Sequence, residues 1–199
     1  MIGMAEYPDK YFELAIVDPQ YGLDIIKQWG EIKHGYKQYA SKEWDKAIPD
    51  ASYFTELFRV SKNQIICGGN YFAQYLPASQ GWVVWNKMQR EFSMADGELA
   101  WTSFDRALRI FDMSRGECVA QNGDRFHPTQ KPVKLYKWLL DKYAKQGDKI
   151  LDTHLGSGSS RIACYDYGFD FTGFELDKDY FEAQEKRFND HISQTNLFK

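Results

Sequence analysis

Two short stretches carry residue types suited to chemistry. Asp18-Pro19-Gln20-Tyr21 closes the apolar run at 14–17, and Asp152-Thr153-His154-Leu155-Gly156-Ser157-Gly158 closes the run KIL at 149–151. In the second, Gly156 and Gly158 let backbone approach a ligand closely. Glu175 follows about 20 residues later, where a carboxylate can accept hydrogen bonds from a ribose diol. The same pattern also fits a plain glycine-rich turn followed by a surface acid. The third glycine of a dinucleotide fingerprint is replaced by Arg161, so the loop suits a nucleoside whose type it does not fix. The first stretch has few donors for phosphate. It offers two acceptors, the Asp18 carboxylate and the Pro19 carbonyl, beside the flat ring of Tyr21. That combination suits gripping an exocyclic amino group while stacking its base. It also fits an ordinary turn after a strand.

The surrounding elements must hold these stretches in place. Strands are expected at 12–17, 64–67, 81–85, 107–112, 149–152 and 171–175. Helices are expected at 51–60, 132–145 and 178–189, with another opening after the glycine loop. Pro132 in the first turn suits a helix start. Residues 22–50, polar and lysine-rich, read as a mobile loop, and 86–106 as irregular. Strands alternating with helices imply an α/β fold, a mostly parallel sheet with helices on both faces. In such sheets ligands sit beyond the carboxyl ends of the strands, where both stretches fall.

Composition narrows the class. At 199 residues, with 43% hydrophobic and 27% charged residues, the chain suits a single domain, 1–199. The 13 Tyr and 14 Phe fit either a thick core or flat-ligand stacking. Only 3 cysteines, scattered, argue against a disulfide framework or zinc site and toward a reducing cytoplasm. No apolar run is long enough to span a bilayer, so no membrane role is expected. A net charge of -3 gives no global signal for nucleic acid, and any basic surface must be local.

Three blocks together resemble the beta-class amino DNA methyltransferases. These are VDPQYG at 17–22, HPTQKPVKLYKWLL at 127–140, and KILDTHLGSGSSRIACYDYGFDFTGFELDKDYFEAQEKRF at 149–188. The catalytic block precedes the cofactor block, the circularly permuted motif order of that class. The resemblance implies a Rossmann-like methyltransferase fold. It also implies S-adenosylmethionine as cofactor and methyl transfer to adenine N6 or cytosine N4 of double-stranded DNA, with the target base flipped out. Asp in the first motif position points to adenine. By resemblance, Asp18, Pro19, Gln20 and Tyr21 form the catalytic motif, with Asp18 also close to the cofactor. Asp152, His154, Gly156, Gly158, Ser159, Glu175 and Lys131 hold the cofactor. Asp152 is expected near the methionine amino end, Glu175 on the ribose, and Lys131-Pro132 placing the helix beside it. Lys131 fits a solvated helix-start lysine equally well. The chemistry needs no covalent nucleophile: acceptors hold the amine while positioning and electrostatics drive direct transfer.

Departures from the family pattern sharpen these expectations. Gln20 replaces a second proline, while the Pro19 carbonyl is retained. Thr153-His154 replaces Pro-Phe, and a charged imidazole would oppose a sulfonium, so His154 is expected to be neutral. Only six residues precede Tyr7, where the family has a further strand. This suggests a minimal phage-type enzyme, a truncated product or a catalytically weak remnant. Phe171, Phe174, Phe181 and Phe188, or a second copy in a homodimer, would then cover the sheet edge. Residues 125–149 carry seven Lys/Arg against two Asp, and 27–46 five Lys against three acids with interleaved aromatics. Both are expected to meet DNA, unless they are solvated faces. Residues 86–124, with Lys87, Arg90, Arg106, Arg109 and Arg115, are expected as a short target-recognition insertion. Methylation of RNA or of a protein amide, or DNA binding without turnover, are the alternatives.

Overall fold

The computed structural model describes residues 2–23, 47–90, 95–122, 127 and 129–196. Most of the loop expected at 22–50 lies outside these residues. The order is α1 (Ile2–Ala5), β1 (Phe12–Val17), α2 (Ala51–Val60), β2 (Ser61–Cys67), a 3-10 turn (Gly69–Tyr71), β3 (Trp82–Asn86), β4 (Gly97–Thr102), β5 (Arg109–Asp112), α3 (Arg115–Asn122), α4 (Val133–Tyr143), β6 (Lys149–Asp152), α5 (Ser159–Tyr167), β7 (Asp170–Gly173) and α6 (Lys178–Asn196). The strands form one sheet in the order β5-β3-β4-β2-β1-β6-β7. All described pairings are parallel except those of β4 with β2 and β3.

Period-two alternation divides the core between the two faces of the sheet. Leu14, Ile16, Ile65, Cys67, Val83 and Ile150 point to the face packed with Leu135, Leu139 and Leu140 of α4 and Ala163 of α5. Ala15, Val17, Ile66 and Leu151 point to the face packed with Phe54, Leu57 and Val60 of α2 and with Met4. Each fully buried Val, Leu, Ile, Phe or Met side chain among them contributes about 1.5–3 kcal/mol. Asp50 caps α2 by accepting the Ser52 and Tyr53 amides at 2.9 and 3.2 Å. Such a cap is worth about 1 kcal/mol.

The sheet corrects one expectation. Residues 86–106 are not irregular: β4 lies within them and in the interior of the sheet, with Trp101 opposite both Ile66 and Trp82. The strand is short and its outer half is polar, so its alternation barely rises above loop composition. The described parts of 86–124 are thus largely sheet and helix. At the opposite edge β7 ends at Gly173, two residues earlier than expected. The Phe174 amide donates to the Asp152 carbonyl, and its own carbonyl accepts the Leu155 amide, both at 2.9 Å. These bonds turn Glu175 over the glycine loop. Of the four phenylalanines expected to cover this edge, Phe174 packs under Gly3 and Tyr7 and Phe171 against the core. Phe188 lies under the Arg161 guanidinium at 3.9 Å, and Phe181 is 45% exposed.

Candidate active site

Parallel strands β1, β6 and β7 end on the same side of the sheet, and a cleft opens there. Its walls are Asp18–Tyr21 after β1, residues 153–157 after β6, and residues 174–177 after β7. His127 and residues 129–131 before α4 close it, with Tyr180. Counted out to solvent it encloses about 980 Å³. The tertiary fold therefore brings both chemistry-bearing stretches to one cavity.

One end of the cleft is built from backbone and one carboxylate. Glu175 accepts the Gly156 amide on one oxygen (2.7 Å) and the Asp177 amide on the other (2.9 Å). Two amides fix its orientation, and each oxygen keeps a lone pair for a diol hydroxyl. Gly158 sits at φ 72, where a side chain is strained, and a Cβ there would crowd Gln184 at 3.1 Å. These features fit a ribose held at a strand end.

Asp152 and Ser159 are buried beside the cleft. Asp152 is fully buried and does not line the cleft. Its carboxylate accepts the Ser160 hydroxyl at 2.6 Å and the His154 amide at 3.0 Å. Burial pushes its pKa up to about 7 despite those bonds, with the charges of Asp18 and Glu175 adding to the shift. It anchors the loop from behind. Ser159 is also buried: its hydroxyl donates to the Lys131 carbonyl at 2.7 Å and accepts from Arg187 at 2.9 Å. Gly158, like these two, lies outside the lining. His154 does line the cleft, steadied by a chain in which Tyr53 Oη meets Thr153 Oγ1 at 2.7 Å, which meets His154 Nδ1 at 2.9 Å. Burial lowers its pKa to about 4, so the ring is neutral at ordinary pH.

The other end of the cleft centres on Asp18. One oxygen accepts the Tyr21 hydroxyl at 2.7 Å, and the other receives the Lys131 ammonium at 2.5 Å. Lys131 is neither solvated nor merely a helix-placing residue: its side chain is 5% exposed and binds the Asp18 carboxylate. Burial opposes its charge, but Asp18, Tyr21 and Glu98 outweigh that, and its pKa is raised well above the ordinary value. Glu98 of β4 approaches the same ammonium at 3.4 Å and pairs with Lys87 at 2.6 Å. Tyr21 stacks on Tyr71, centroids 4.8 Å apart and planes 13° off parallel. Gly68, at φ 68, faces the Tyr21 ring, and any Cβ there would collide with it.

A sequence profile of the N6/N4 DNA methylases matches residues 24–186. YubD of Escherichia coli (strain K12), a candidate methylase, is 35% identical over 92% of this chain and 85% of its own. The chain belongs to the N6/N4 DNA methylase family. S-adenosylmethionine is that family's cofactor. Two solved structures share the fold. The M1.HpyAVI–SAM complex superposes with TM-score 0.59 at 19% identity, covering 94% of this chain and 92% of that one. The PvuII cytosine-N4-specific DNA methyltransferase gives 0.59 at 13%, covering 96% and 88%.

Within this methylase the basic run 125–149 splits. Lys131 is internal, Lys137 pairs with Asp166 at 2.7 Å, and the Lys149 ammonium lies over the Tyr11 ring at 4.1 Å. Lys142 and Lys145 precede β6 and Lys149 opens it, a strand's length of about 13 Å from the cleft at its far end. Lys134 lies in the first turn of α4. The run at 27–46 lies outside the described residues. Two residues around Asp18 escaped the sequence reading. Glu98 was hidden in the short strand β4. Tyr71 carried only the weak signal of an aromatic after Gly68-Gly69. No described helix of the methylase is long and apolar enough to cross a membrane.

Proposed function

We propose that this methylase transfers the methyl group to adenine N6 of a base flipped out of double-stranded DNA. One observation carries the reading: the Asp18 motif and the Glu175–glycine-loop arrangement open into a single cleft. When bound, S-adenosylmethionine supplies an electrophilic methyl group on a positively charged sulfur. Glu175 and the Gly156 loop hold its ribose, and the neutral ring of His154 lies alongside without adding positive charge. Asp18 and the Pro19 carbonyl accept the N–H groups of the amine, turning its lone pair toward the methyl. As the new N–C bond forms and the S–C bond breaks, the nitrogen sheds one proton, for which Asp18 is the neighbouring acceptor. Tyr21 is the stacking platform, and stacking on such a ring is worth roughly 1–3 kcal/mol. The choice of adenine rests on Asp, not Ser, at position 18.

The test is transfer of a tritiated methyl group to DNA, RNA and lysate protein, followed by nucleoside analysis of labelled DNA. Label in N6-methyladenine supports the reading. Label in N4-methylcytosine overturns the base, and label confined to RNA or protein overturns the substrate. Asp18→Ala should abolish transfer with cofactor affinity little changed, because the acceptor is needed only when the amine reacts. Equal loss of cofactor binding would make the carboxylate structural.

A further inference from the structure

Four charged side chains from separate elements form a line of alternating sign that ends at Asp18. Lys87 lies just beyond β3, Glu98 is on β4, Lys131 precedes α4, and Asp18 follows β1. The contacts run Lys87–Glu98 2.6 Å, Glu98–Lys131 3.4 Å and Lys131–Asp18 2.5 Å. Lys131 thus sits between two carboxylates and favours Asp18.

We propose that Glu98 is a positioning residue for methyl transfer, drawing the Lys131 ammonium off Asp18 as the target amine binds. The inference rests on the reading of Asp18 as the acceptor for that amine. In the structure both Asp18 oxygens are engaged, one by Tyr21 and one by Lys131. An incoming N–H must compete with the ammonium. As the N–C bond forms, the amine nitrogen gains positive charge, and a second cation on the same carboxylate opposes it. Lys131 cannot simply lose its partner, because an unpaired ammonium in this dry place is costly. Glu98 offers an alternative: Lys87 holds one of its oxygens, and the other faces Lys131.

Geometry permits this exchange. The Lys131 backbone is pinned by the Ser159 hydroxyl on its carbonyl and by Pro132 after it, so the side chain is the part free to shift. A small, mainly apolar hollow lined by Cys67, Trp85, Leu135, Glu98 and Lys131 adjoins the line of charges. A movement of about 1 Å exchanges the preferred carboxylate, and displacements of that size in a site can change rates about 100-fold.

The experiment compares steady-state tritiated-methyl transfer to DNA by the unaltered chain, Glu98→Gln, Lys131→Met and the double variant, with thermal melts of each. Glu98→Gln should lower kcat about 100-fold while KM for DNA and cofactor stays within about threefold. Glu98→Asp should retain more activity than Glu98→Gln. In the double variant no ammonium remains to be drawn away, so kcat should rise at least about tenfold above Glu98→Gln. Glu98→Gln at the unaltered rate, or a double variant no faster than it, overturns the inference. Should Glu98→Gln fail to fold, Lys87→Met tests the same point. It frees Glu98 for Lys131 and should raise kcat, and a fall overturns the inference. No transfer by the unaltered chain would instead remove the reading of Asp18.

Discussion

Asp152→Asn separates what a buried carboxylate costs from what it holds. Asp152 is fully buried, and burial raises its pKa from 3.8 to about 7 against the bonds from Ser160 and the His154 amide. A folded pKa above the unfolded one favours folding fully at pH below 3.8. That contribution is lost as pH rises through 7. A shift of roughly 3 units at ~1.4 kcal/mol each amounts to about 4 kcal/mol by pH 8. Asparagine removes this titration and keeps an oxygen for the His154 N–H. Its amide nitrogen meets the Ser160 hydroxyl, which must turn to accept, at a cost of about 1 kcal/mol. The variant should therefore be more stable by about 3 kcal/mol at pH 8, with the gain gone near pH 4. Urea unfolding at both pH values, with equal m-values as the check on comparable denatured states, measures this. A pH-independent difference, or a variant less stable at pH 8, refutes the assignment of the strain to Asp152. Retention of so costly a charge is reasonable where a loop must be held for binding, so cofactor affinity should fall as stability rises.

Other residues of the cleft give parallel tests. Burial depresses the His154 pKa from 6.5 to about 4, so its contribution is present above 6.5 and lost as pH falls through 4. His154→Phe should thus lose about 1–2 kcal/mol less than the unaltered chain between pH 7 and 5, allowing for screening at the cleft mouth. Equal losses on denaturant titration would contradict this. Glu175→Gln should weaken cofactor binding about tenfold or more, since hydrogen bonds to a charged group are worth about 1.5–3 kcal/mol. A calorimetric Kd within about twofold of the unaltered value would remove Glu175 from the ribose. Tyr71 occupies the Tyr21 face on which a base would stack. Tyr71→Ala abolishes an aromatic pair worth about 1 kcal/mol that binding must break, so target DNA should bind about fivefold tighter. Weaker binding would make Tyr71 a wall of the base pocket.

Local rules and motif order made much of this protein legible from its sequence. The strand at 12–17 and the helix at 51–60 fall where apolar spacing puts them, because a strand face or a helix face is set by near neighbours. The same holds for the glycine loop that follows β6 and opens the next helix. Interactions between distant residues were decided by the tertiary structure. Lys131 and Asp18 stand 113 positions apart, and nothing in either segment says that their side chains meet. β4 enters the sheet between β2 and β3, where pairing on both sides compensates for a weak pattern of its own. Asp152 lies in a family motif, yet the direction of its carboxylate depends on Ser160 and the His154 amide closing behind it. Lysines close in sequence were separated by the length of a strand. Spacing along the chain specifies which residues share an element. Which charges are stripped of water, and what they then pair with, is fixed only when the elements pack.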